Sequence, residues 1–509
     1  MRHVKQTLWA KVFELPDRPA LPLQTRLREA VVREILGGRL GEGAALPSSR
    51  DLARLMGLSR NTVTAAYQQL VDDGFLVARS RSGVFVAPGA RQKVADPPPL
   101  PANPRAAGTP PPDWSARMRR TLRGRPMLTK PERWREDYRY PFVYGRHDPQ
   151  LFPSDDFREC CARSLARAQQ QRWAPDFETE DVPDLVEQIR LRVCPKRGVF
   201  ALAEEIVVTV GAQQAFHLLA EALLDGDTRL GFEDPGYPQA RAAFALRGPR
   251  FVPLPVDGDG LVVDALPPLD YLFVTPSHQS PTTVSLSLDR RQALLARAEA
   301  GDLVIIEDDY ESENLLEGTP IPALKSLDRT GRVVYVGSLS KSLSPAVRLG
   351  FIVAPRALAA ELRVLRHAMV RHPSAFLQHA YALFLSLGHH ESHARRVNQV
   401  IGERLAAATD GLRRLLPDFR FAPPRGGASI WVEAPAWVDG AELAQAARAH
   451  GVLIEPGEVF FAAPPYPCPY FRLRLSSIER GAIEPGLRAL RQAVVDLASA
   501  RGVAWPARG

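Results

Sequence analysis

The chain has 509 residues, of which 45% are hydrophobic and 24% charged, a composition that predicts a globular protein of two or more domains. No segment approaches the roughly 18 uninterrupted apolar residues of a transmembrane helix, and the N-terminal sequence lacks the pattern of a signal peptide, so we expect no membrane association. The four cysteines have no CxxC or zinc-site spacing, so we expect incidental thiols in a reducing cytosol and no metal site.

The formal charge of +8 is unevenly distributed along the chain. Residues 1–90 hold 13 Lys and Arg against 8 Asp and Glu, and residues 91–135 hold 11 against 3, giving +5 and +8. The remaining 41 basic and 46 acidic residues give −5. Basic charge confined to one end favours a polyanionic partner, although a solvated basic surface is the alternative on charge alone.

The first block, from about Leu21 to Pro88, has the pattern of three helices followed by a hairpin. The first helix is predicted from apolar residues at helical spacing, which are Leu23, Leu27, Val31 and Ile35. The stretch "LPSSRDLARLMGLSRNTVTAAYQQLVDDGFL" predicts two further helices joined by a turn at Gly57, the first capped by Ser48 or Ser49 and the second by Ser59. The third helix should bury Val63, Ala66, Tyr67 and Leu70. Alternation in "FLVARSRSGVFVA" predicts a β-hairpin wing.

The opposite face of the third helix begins with Arg60, Asn61 and Thr62, short polar donors and an arginine placed where a recognition helix meets bases and phosphates. This block resembles the winged helix-turn-helix of GntR-type regulators. The resemblance implies DNA contacts at Arg50, Ser59, Arg60, Asn61, Thr62, Thr64, Arg81 and Gly83. The alternative is a winged helix used only for protein contacts.

The segment "PGARQKVADPPPLPANPRAAGTPPPD" is rich in Pro and Ala and predicts a partly extended linker. From about Arg133 onward, short β-branched runs such as "EEIVVTVG", "LVIIEDD" and "RVVYVGSLS" alternate with helical stretches. This alternation predicts an α/β domain built on a parallel sheet.

Several residues of this third block are the parts of a site for a flat phosphorylated ring. Asp308 follows the buried run Leu303–Ile306, at the strand end where α/β sheets bind ligands, and could pair with a protonated ring nitrogen, while Tyr310 could donate to a phenolic oxygen. Glu307, Asp309 and Glu311 we interpret as a surface acidic cluster. Tyr237 could stack on the ring. Phosphate donors are predicted at the helix start after Gly211, at Ala212 and Gln213, and at Ser338, Ser340 and Arg348. Lys341, in "GSLSKSLSPAVRLG", could form an imine, so the set matches pyridoxal 5′-phosphate (PLP).

The segment from about Phe142 to about Leu497 resembles fold type I, aspartate aminotransferase-like PLP proteins, in "EDPGY", "TPSHQ.P", "EDDY.SE" and "GSLSK…RLG". With the GntR-type head, the chain resembles a MocR/GabR-type transcriptional regulator. The resemblance implies a large, mostly parallel mixed sheet with a smaller C-terminal α+β subdomain. It also implies that Lys341 forms the Schiff base with PLP, and that the other residues named above hold the ring and phosphate.

For the effector, the resemblance implies that Arg472 grips a carboxylate, with Arg474 as the alternative if the register shifts by two. Gln239 and Arg241, near Tyr237, are further candidates. GABA-responsive relatives place an arginine close to this turn, whereas this chain has Gln239 there, which argues against GABA as the effector. Ser280 stands where aminotransferases carry an asparagine.

We therefore predict a winged helix-turn-helix domain at 1–90, a Pro- and Arg-rich linker at 91–132 and a PLP-binding effector domain at 133–509. The predicted function is a PLP-dependent regulator that binds double-stranded operator DNA and senses a small amino compound through external aldimine formation. The resemblance further implies a homodimer in the cytoplasm, associated with the nucleoid. The alternative is a catalytically active aminotransferase with a fused DNA-binding domain; a regulator whose core has lost PLP is a third reading, disfavoured by the intact set of Lys341, Asp308 and Tyr310.

Overall fold

The computed structural model describes residues 15, 21–79, 82–90, 113–118, 127–128, 130–145, 148, 151–176, 180–264, 266–311, 322–339, 343–424 and 426–505. The predicted site residues Arg81, Ser340 and Lys341 lie outside these ranges, as does most of the predicted linker. The chain divides into two compact units, Met1–Arg117 and Met118–Gly509. Within the described ranges, no helix is long and apolar enough to cross a membrane, and no cluster of His, Cys, Asp and Glu could hold a metal ion.

The described part of the first unit has the predicted winged-helix elements. They are α1 (Leu23–Leu36), α2 (Ser49–Met56), α3 (Arg60–Asp72), β1 (Leu76–Arg79), β2 (Gly83–Val86) and the short α4 (Trp114–Arg117). The Ser48 hydroxyl accepts the Asp51 N–H at 3.2 Å and the Ser59 hydroxyl accepts the Thr62 N–H at 3.0 Å, so both predicted caps form. Gly57 ends α2 in the left-handed conformation, and β1 pairs antiparallel with β2.

The core of this unit follows the predicted helical periodicity, with one exception. Val63, Ala66, Tyr67 and Leu70 of α3 are all buried. Leu23 was predicted to share the buried face of α1, but it is 45% exposed. Because helical side chains point toward the N-terminus, the first residue of a helix extends beyond its packed turns.

The second unit contains the α/β fold. Its strands are β3 (Tyr140–Pro141), β4 (Ile206–Thr209), β5 (Arg229–Asp234), β6 (Arg250–Asp257), β7 (Gly260–Leu261), β8 (Tyr271–Val274), β9 (Val304–Asp308), β10 (Val333–Ser338), β11 (Gly350–Val353), β12 (Ser429–Glu433), β13 (Val452–Leu453), β14 (Glu455–Pro456) and β15 (Tyr470–Arg474). Eight of the described strands form one sheet in the order β4-β11-β10-β9-β8-β5-β6-β7. The pairs among β10, β9, β8, β5 and β6 are parallel, whereas β11 and β7 run antiparallel to their neighbours.

Helices cover this sheet and build a separate C-terminal layer. They are α5 (Trp134–Asp137), α6 (Ser154–Ser164), α7 (Arg167–Gln170), α8 (Pro183–Gln188), α9 (Gly211–Leu223), α10 (Pro238–Ala245), α11 (Leu288–Ala300), α12 (Leu324–Leu327), α13 (Arg356–Val370), α14 (Ala375–Ser386), α15 (His389–Leu415), α16 (Gly440–Ala449) and α17 (Arg480–Arg501). Apolar residues of α9, α10 and α13 pack with the sheet in one cluster, and those of α14 pack with it in another. A third core joins α15, α16 and α17 to the described three-stranded sheet β12-β15-β14, which forms the smaller subdomain.

The parallel strands bring their C-terminal ends to one edge of the large sheet. β5 ends at Asp234, β9 at Asp308 and β10 at Ser338. The prediction that Asp308 ends its strand is therefore confirmed, with the strand one residue later than predicted, at Val304–Asp308. The strand ends place the polar residues of three separate sequence motifs on one side of the fold.

Candidate functional site

A pocket opens at this edge of the second unit. Its lining residues come from six separate parts of the chain: Leu128, Tyr144, Tyr237, Gln239, Ser280, Asp308, Tyr310, Arg472 and Arg474. Seven of these were singled out from the sequence, whereas Leu128 and Tyr144 were not. Convergent polar groups in such a pocket mark a binding site.

Asp308 and Tyr310 form the acidic and phenolic side of the pocket. Asp308 is 3% exposed and Tyr310 is 7% exposed. Burial raises the pKa of Tyr310 to about 12, so its hydroxyl stays protonated at neutral pH and can donate a hydrogen bond. Ser280 hydrogen-bonds this tyrosine, so the serine at the aminotransferase asparagine position holds the phenol.

A cradle suited to a phosphate lies at the junction of β4 and α9. Gly211 opens α9 with a φ of +71°, and a Cβ there would lie 3.0 Å from the Arg348 guanidinium carbon. Nη2 of Arg348 donates to the Val210 carbonyl at 3.0 Å. A Cβ on Gly350 would lie 3.0 Å from the Gly211 Cα, so both glycines are needed for this close approach. An arginine beside the free N–H groups of a helix start fits a phosphate, so the residues present fit PLP.

Of the other predicted phosphate donors, those within the described ranges lie in the same region. Ala212 and Gln213 occupy the first turn of α9, and Ser338 ends β10. The Gln213 side-chain amide donates to the Gln239 carbonyl at 3.1 Å, so its contribution to a phosphate would come from the backbone N–H.

Arg472 and Arg474 both line the pocket, because residues two apart on β15 share a face. Nε of Arg472 donates to Oε2 of Glu455 at 2.6 Å, and its guanidinium lies 4.7 Å from the Phe460 ring centre. Arg474 pairs with Glu311 and donates to the Ser429 hydroxyl at 3.0 Å. Burial lowers the pKa of Arg474. Each arginine thus has a carboxylate partner from the same chain.

Of the two further effector candidates, Gln239 lines the pocket, whereas the structure does not bring Arg241 to its wall. Nη2 of Arg241 donates to the Phe460 carbonyl at 2.7 Å, and the guanidinium lies 5.1 Å from the Phe232 ring centre. Because α10 begins at Pro238, positions 239 and 241 are two apart on a helix and point in nearly opposite directions.

The polar face of α3 is open to solvent in the first unit. Arg50, Ser59, Arg60, Asn61, Thr64 and Gly83 are exposed, and Thr62 is partly exposed. Since the other side of α3 is buried, its cap Ser59 and the α3 residues Arg60, Asn61, Thr62 and Thr64 form the surface that could enter a DNA groove, whereas Arg50 lies on α2 and Gly83 on β2.

Known proteins resemble this chain in both of its units. The family model described as "Bacterial regulatory proteins, gntR family" matches residues 23–86. The HTH-type transcriptional regulator TauR of Rhodobacter capsulatus is 42% identical over 93% of this chain and 96% of its own length. The probable rhizopine catabolism regulatory protein MocR of Rhizobium meliloti is 32% identical over 95% of this chain and 96% of its own length. The chain belongs to the MocR/GabR-type family of transcriptional regulators.

The second unit of this MocR/GabR-type regulator has an aminotransferase-like fold. The crystal structure of LysN, an alpha-aminoadipate aminotransferase from Thermus thermophilus, matches with a TM-score of 0.66 and 30% identity, over 72% of this chain and 95% of that one. The predicted fold class and the predicted GntR-type head are confirmed.

The regulator's acidic residues next to Asp308 are buried, contrary to the prediction from the sequence. Glu307, Asp309 and Glu311 were predicted to form a surface cluster, but they are 0%, 2% and 9% exposed. Glu307 accepts the Leu324 and Lys325 N–H groups at 2.7 and 2.8 Å, Asp309 pairs with Arg197 at 2.8 Å, and Glu311 pairs with Arg474. The prediction fails because β9 lies inside an eight-stranded sheet, where each carboxylate meets a partner distant in sequence.

Glu233 is a buried carboxyl of the regulator that sequence reasoning overlooked. It accepts hydrogen bonds from the Thr275 hydroxyl at 2.7 Å and from the Gln279 amide at 3.3 Å. Burial, with a smaller contribution from the neighbouring Asp308, raises the pKa of Glu233 to about 7, although the hydrogen bonds from Thr275 and Gln279 act in the opposite direction. Its place in "EDPGY", at the end of an apolar run, was the signal available.

His278, in the same region, predicts a pH dependence of stability. Burial lowers its pKa from 6.5 to about 4, against a smaller opposing effect of Asp309. Below pH 6.5, His278 therefore binds a proton in the unfolded chain but not in the folded chain. As the pH falls from 6.5 toward 4, this difference lowers the free energy of unfolding. We expect the unfolding free energy of the wild type to fall by about 2 kcal/mol more than that of His278→Gln between pH 7 and 5. Denaturant titrations of both proteins check this, and parallel pH curves would contradict it.

Proposed function

We propose that this regulator binds PLP in the pocket, senses a small amino compound there and changes how its winged helix is presented to operator DNA. We assign residues 1–90 to DNA binding, 91–132 to a linker and 133–509 to the effector domain. GntR-family regulators bind operator DNA, which supports a location on the nucleoid in the cytoplasm. We further propose a homodimer, as the resemblance to MocR/GabR-type regulators implies.

The observation that carries the proposal is the pocket itself, in a chain that also has a GntR-type head. An acidic residue, a phenol and an aromatic ring converge there, and the Gly211–Arg348 cradle lies in the same fold. LysN, which shares this fold, is complexed with N-(5′-phosphopyridoxyl)-L-leucine, a phosphopyridoxyl group joined to an amino acid.

PLP, when bound, supplies an aldehyde that condenses with a primary amine and a ring that withdraws electrons. Asp308 would hold a proton on the ring nitrogen, Tyr310 would donate to the 3′-oxygen and Tyr237 would stack on the ring. The phosphate would be held by Ala212, Gln213, Ser338, Ser340 and Arg348. Lys341, the proposed point of attachment, lies outside the described residues. Arg472 and Gln239 would contact the rest of the amino compound.

The decisive experiment uses the full chain loaded with PLP and a panel of amino compounds. We expect at least one compound to shift the PLP absorbance band and to change the affinity for operator DNA, with slow or no keto-acid formation. A ligand can shift a conformational equilibrium only through different affinities for its two states, so both readouts should share one midpoint. Rapid transamination with unchanged DNA affinity would instead favour an aminotransferase.

Arg60→Ala is the matched control for the DNA side of this experiment. Arg60 is exposed at the start of α3. We expect this variant to bind operator DNA more weakly and to lower the salt slope of binding by about 1, because a phosphate contact is lost. Its PLP band should respond to the amino compound as in the wild type, since the two functions use different units.

A further inference from the structure

We infer that Glu455 sets how strongly the pocket binds an acid group: it is an internal carboxylate that shares Arg472 with the effector. The effector class that follows is a small primary amine bearing one acid group, bound with moderate affinity, with a second acid group rejected. This inference rests on the proposed function.

The position of Glu455 is fixed by the fold. Glu455 and Arg472 lie directly opposite each other in the antiparallel pair of β14 and β15. Their exposed fractions are only 4% and 5%. Oε2 of Glu455 accepts from Nε of Arg472 at 2.6 Å, and Oε1 accepts from the Tyr144 N–H at 3.1 Å. Both oxygens are therefore engaged, one by the arginine and one by a residue of the pocket wall.

This arrangement orients the arginine. The bond to Glu455 uses Nε, so a planar acid group can still approach the two terminal nitrogens of Arg472. The ring centre of Phe460 lies 4.7 Å from the guanidinium carbon of Arg472, so the aromatic ring packs against the guanidinium in a cation–π contact. The same bond offsets the charge of Arg472, so an incoming acid group gains less than it would from an arginine without a carboxylate partner.

The charges of the wall predict the response to a second acid group. Asp308 is the acidic residue among the lining residues that the structure describes, and Arg474 is already paired with Glu311. The other lining residues within the described ranges are uncharged: Leu128, Tyr144, Tyr237, Gln239, Ser280 and Tyr310. Because a buried charge without a partner is costly, an amine with two acid groups should bind more weakly than one with a single acid group.

Three probes that differ in acid groups test the inference: propylamine with none, 3-aminopropanoate with one and L-aspartate with two. Each is titrated into the PLP-loaded full chain, with the shift of the PLP absorbance band giving the dissociation constant. In the wild type, L-aspartate should bind more weakly than 3-aminopropanoate. In Glu455→Gln, 3-aminopropanoate should bind about tenfold more tightly, because Arg472 then lacks its carboxylate, while propylamine should change by less than about twofold.

Two further variants separate this role from a structural one. Glu433→Gln removes the same charge from β12 of the same small sheet, at a residue that does not line the pocket, and should leave all three constants unchanged within about twofold. Glu455→Asp retains the charge and should restore the wild-type preference. The ratio of the constants for 3-aminopropanoate and propylamine is measured within one protein sample, so reduced stability of a variant does not alter its meaning.

The inference is overturned if Glu455→Gln changes both amines equally, if it weakens 3-aminopropanoate, or if L-aspartate binds the wild type more tightly than 3-aminopropanoate. Failure of the proposed function has a different signature. In that case, the wild type shows no PLP band, or its band responds to no amine of any charge.

Discussion

Asp308→Asn is expected to weaken the affinity of the regulator for PLP at least a hundredfold. The carboxylate is 3% exposed at the end of β9, and an amide of the same shape cannot provide a negative charge opposite a protonated ring nitrogen. Loss of one partner from a buried charge pair costs about 3–5 kcal/mol, and about 1.4 kcal/mol corresponds to a factor of ten. Equilibrium titration of the PLP-free protein with PLP, followed by the absorbance of the bound cofactor, measures the loss.

The neighbouring residue provides a matched control for Asp308→Asn. Asp309 is also buried, but its carboxylate pairs with Arg197 and accepts from the Tyr335 hydroxyl at 2.8 Å, away from the pocket lining. Asp309→Asn should therefore lower the unfolding free energy, because Arg197 is left without its charge partner, and should largely retain PLP affinity in the folded fraction. If both variants lose PLP to the same extent, Asp308 does not act on the ring.

The contrast between these two adjacent residues indicates what sequence could predict. Asp308 was identifiable because a carboxylate follows an apolar run, and the C-terminal edge of a parallel sheet is where ligands bind. The fate of Asp309 depends on Arg197, which lies 112 residues earlier in the chain. Local composition therefore indicated a solvated acidic cluster, whereas the fold surrounds each of these carboxylates with specific partners.

Long-range partners were also beyond sequence-based prediction at the side of the pocket that holds Arg472 and Arg474. The motif "YFRLRLSSI" identified both arginines, and strand alternation places Arg472 and Arg474 on one face. The pairing of Arg472 with Glu455 requires the register of β14 against β15, and the contribution of Tyr144 requires a contact across 311 residues of sequence. The sequence could have shown that Gln239 and Arg241 do not both face the pocket. Pro238 marks the first turn of a helix, and the helical rotation points positions 239 and 241 in different directions.

The pocket is lined by residues from both the large sheet and the small three-stranded sheet of the second unit. Asp308 and Tyr310 extend from the large sheet, whereas Arg472 and Arg474 belong to the small sheet. A compound that contacts both sides binds best at one spacing of the two sheets, and so favours one conformation of the effector domain. The Glu311–Arg474 pair already bridges these sides, with the Ala428 N–H donating to the same carboxylate at 3.1 Å.

Gly211→Ala is expected to reduce PLP affinity about 10- to 100-fold through the phosphate cradle. The φ of +71° costs an alanine about 1–2 kcal/mol, and its Cβ would lie 3.0 Å from the Arg348 guanidinium, which must then move. A charge-assisted hydrogen bond contributes about 1.5–3 kcal/mol, so displacement of Arg348 accounts for the lost affinity. PLP titration, with the unfolding free energy of the PLP-free protein measured in parallel, separates the two effects.

Gly248→Ala isolates the backbone cost of this substitution. Gly248 has a φ of +76°, and a Cβ there meets nothing within 4 Å in the part of the chain that the structure describes. Both variants should lose about 1–2 kcal/mol of stability from the left-handed conformation, whereas only Gly211→Ala should lose PLP affinity. Equal PLP affinities of the two variants would contradict the prediction that a Cβ at position 211 displaces Arg348 from the phosphate. A selective loss in Gly211→Ala would instead mean that the glycine is required for the space it leaves to Arg348 as well as for its backbone conformation.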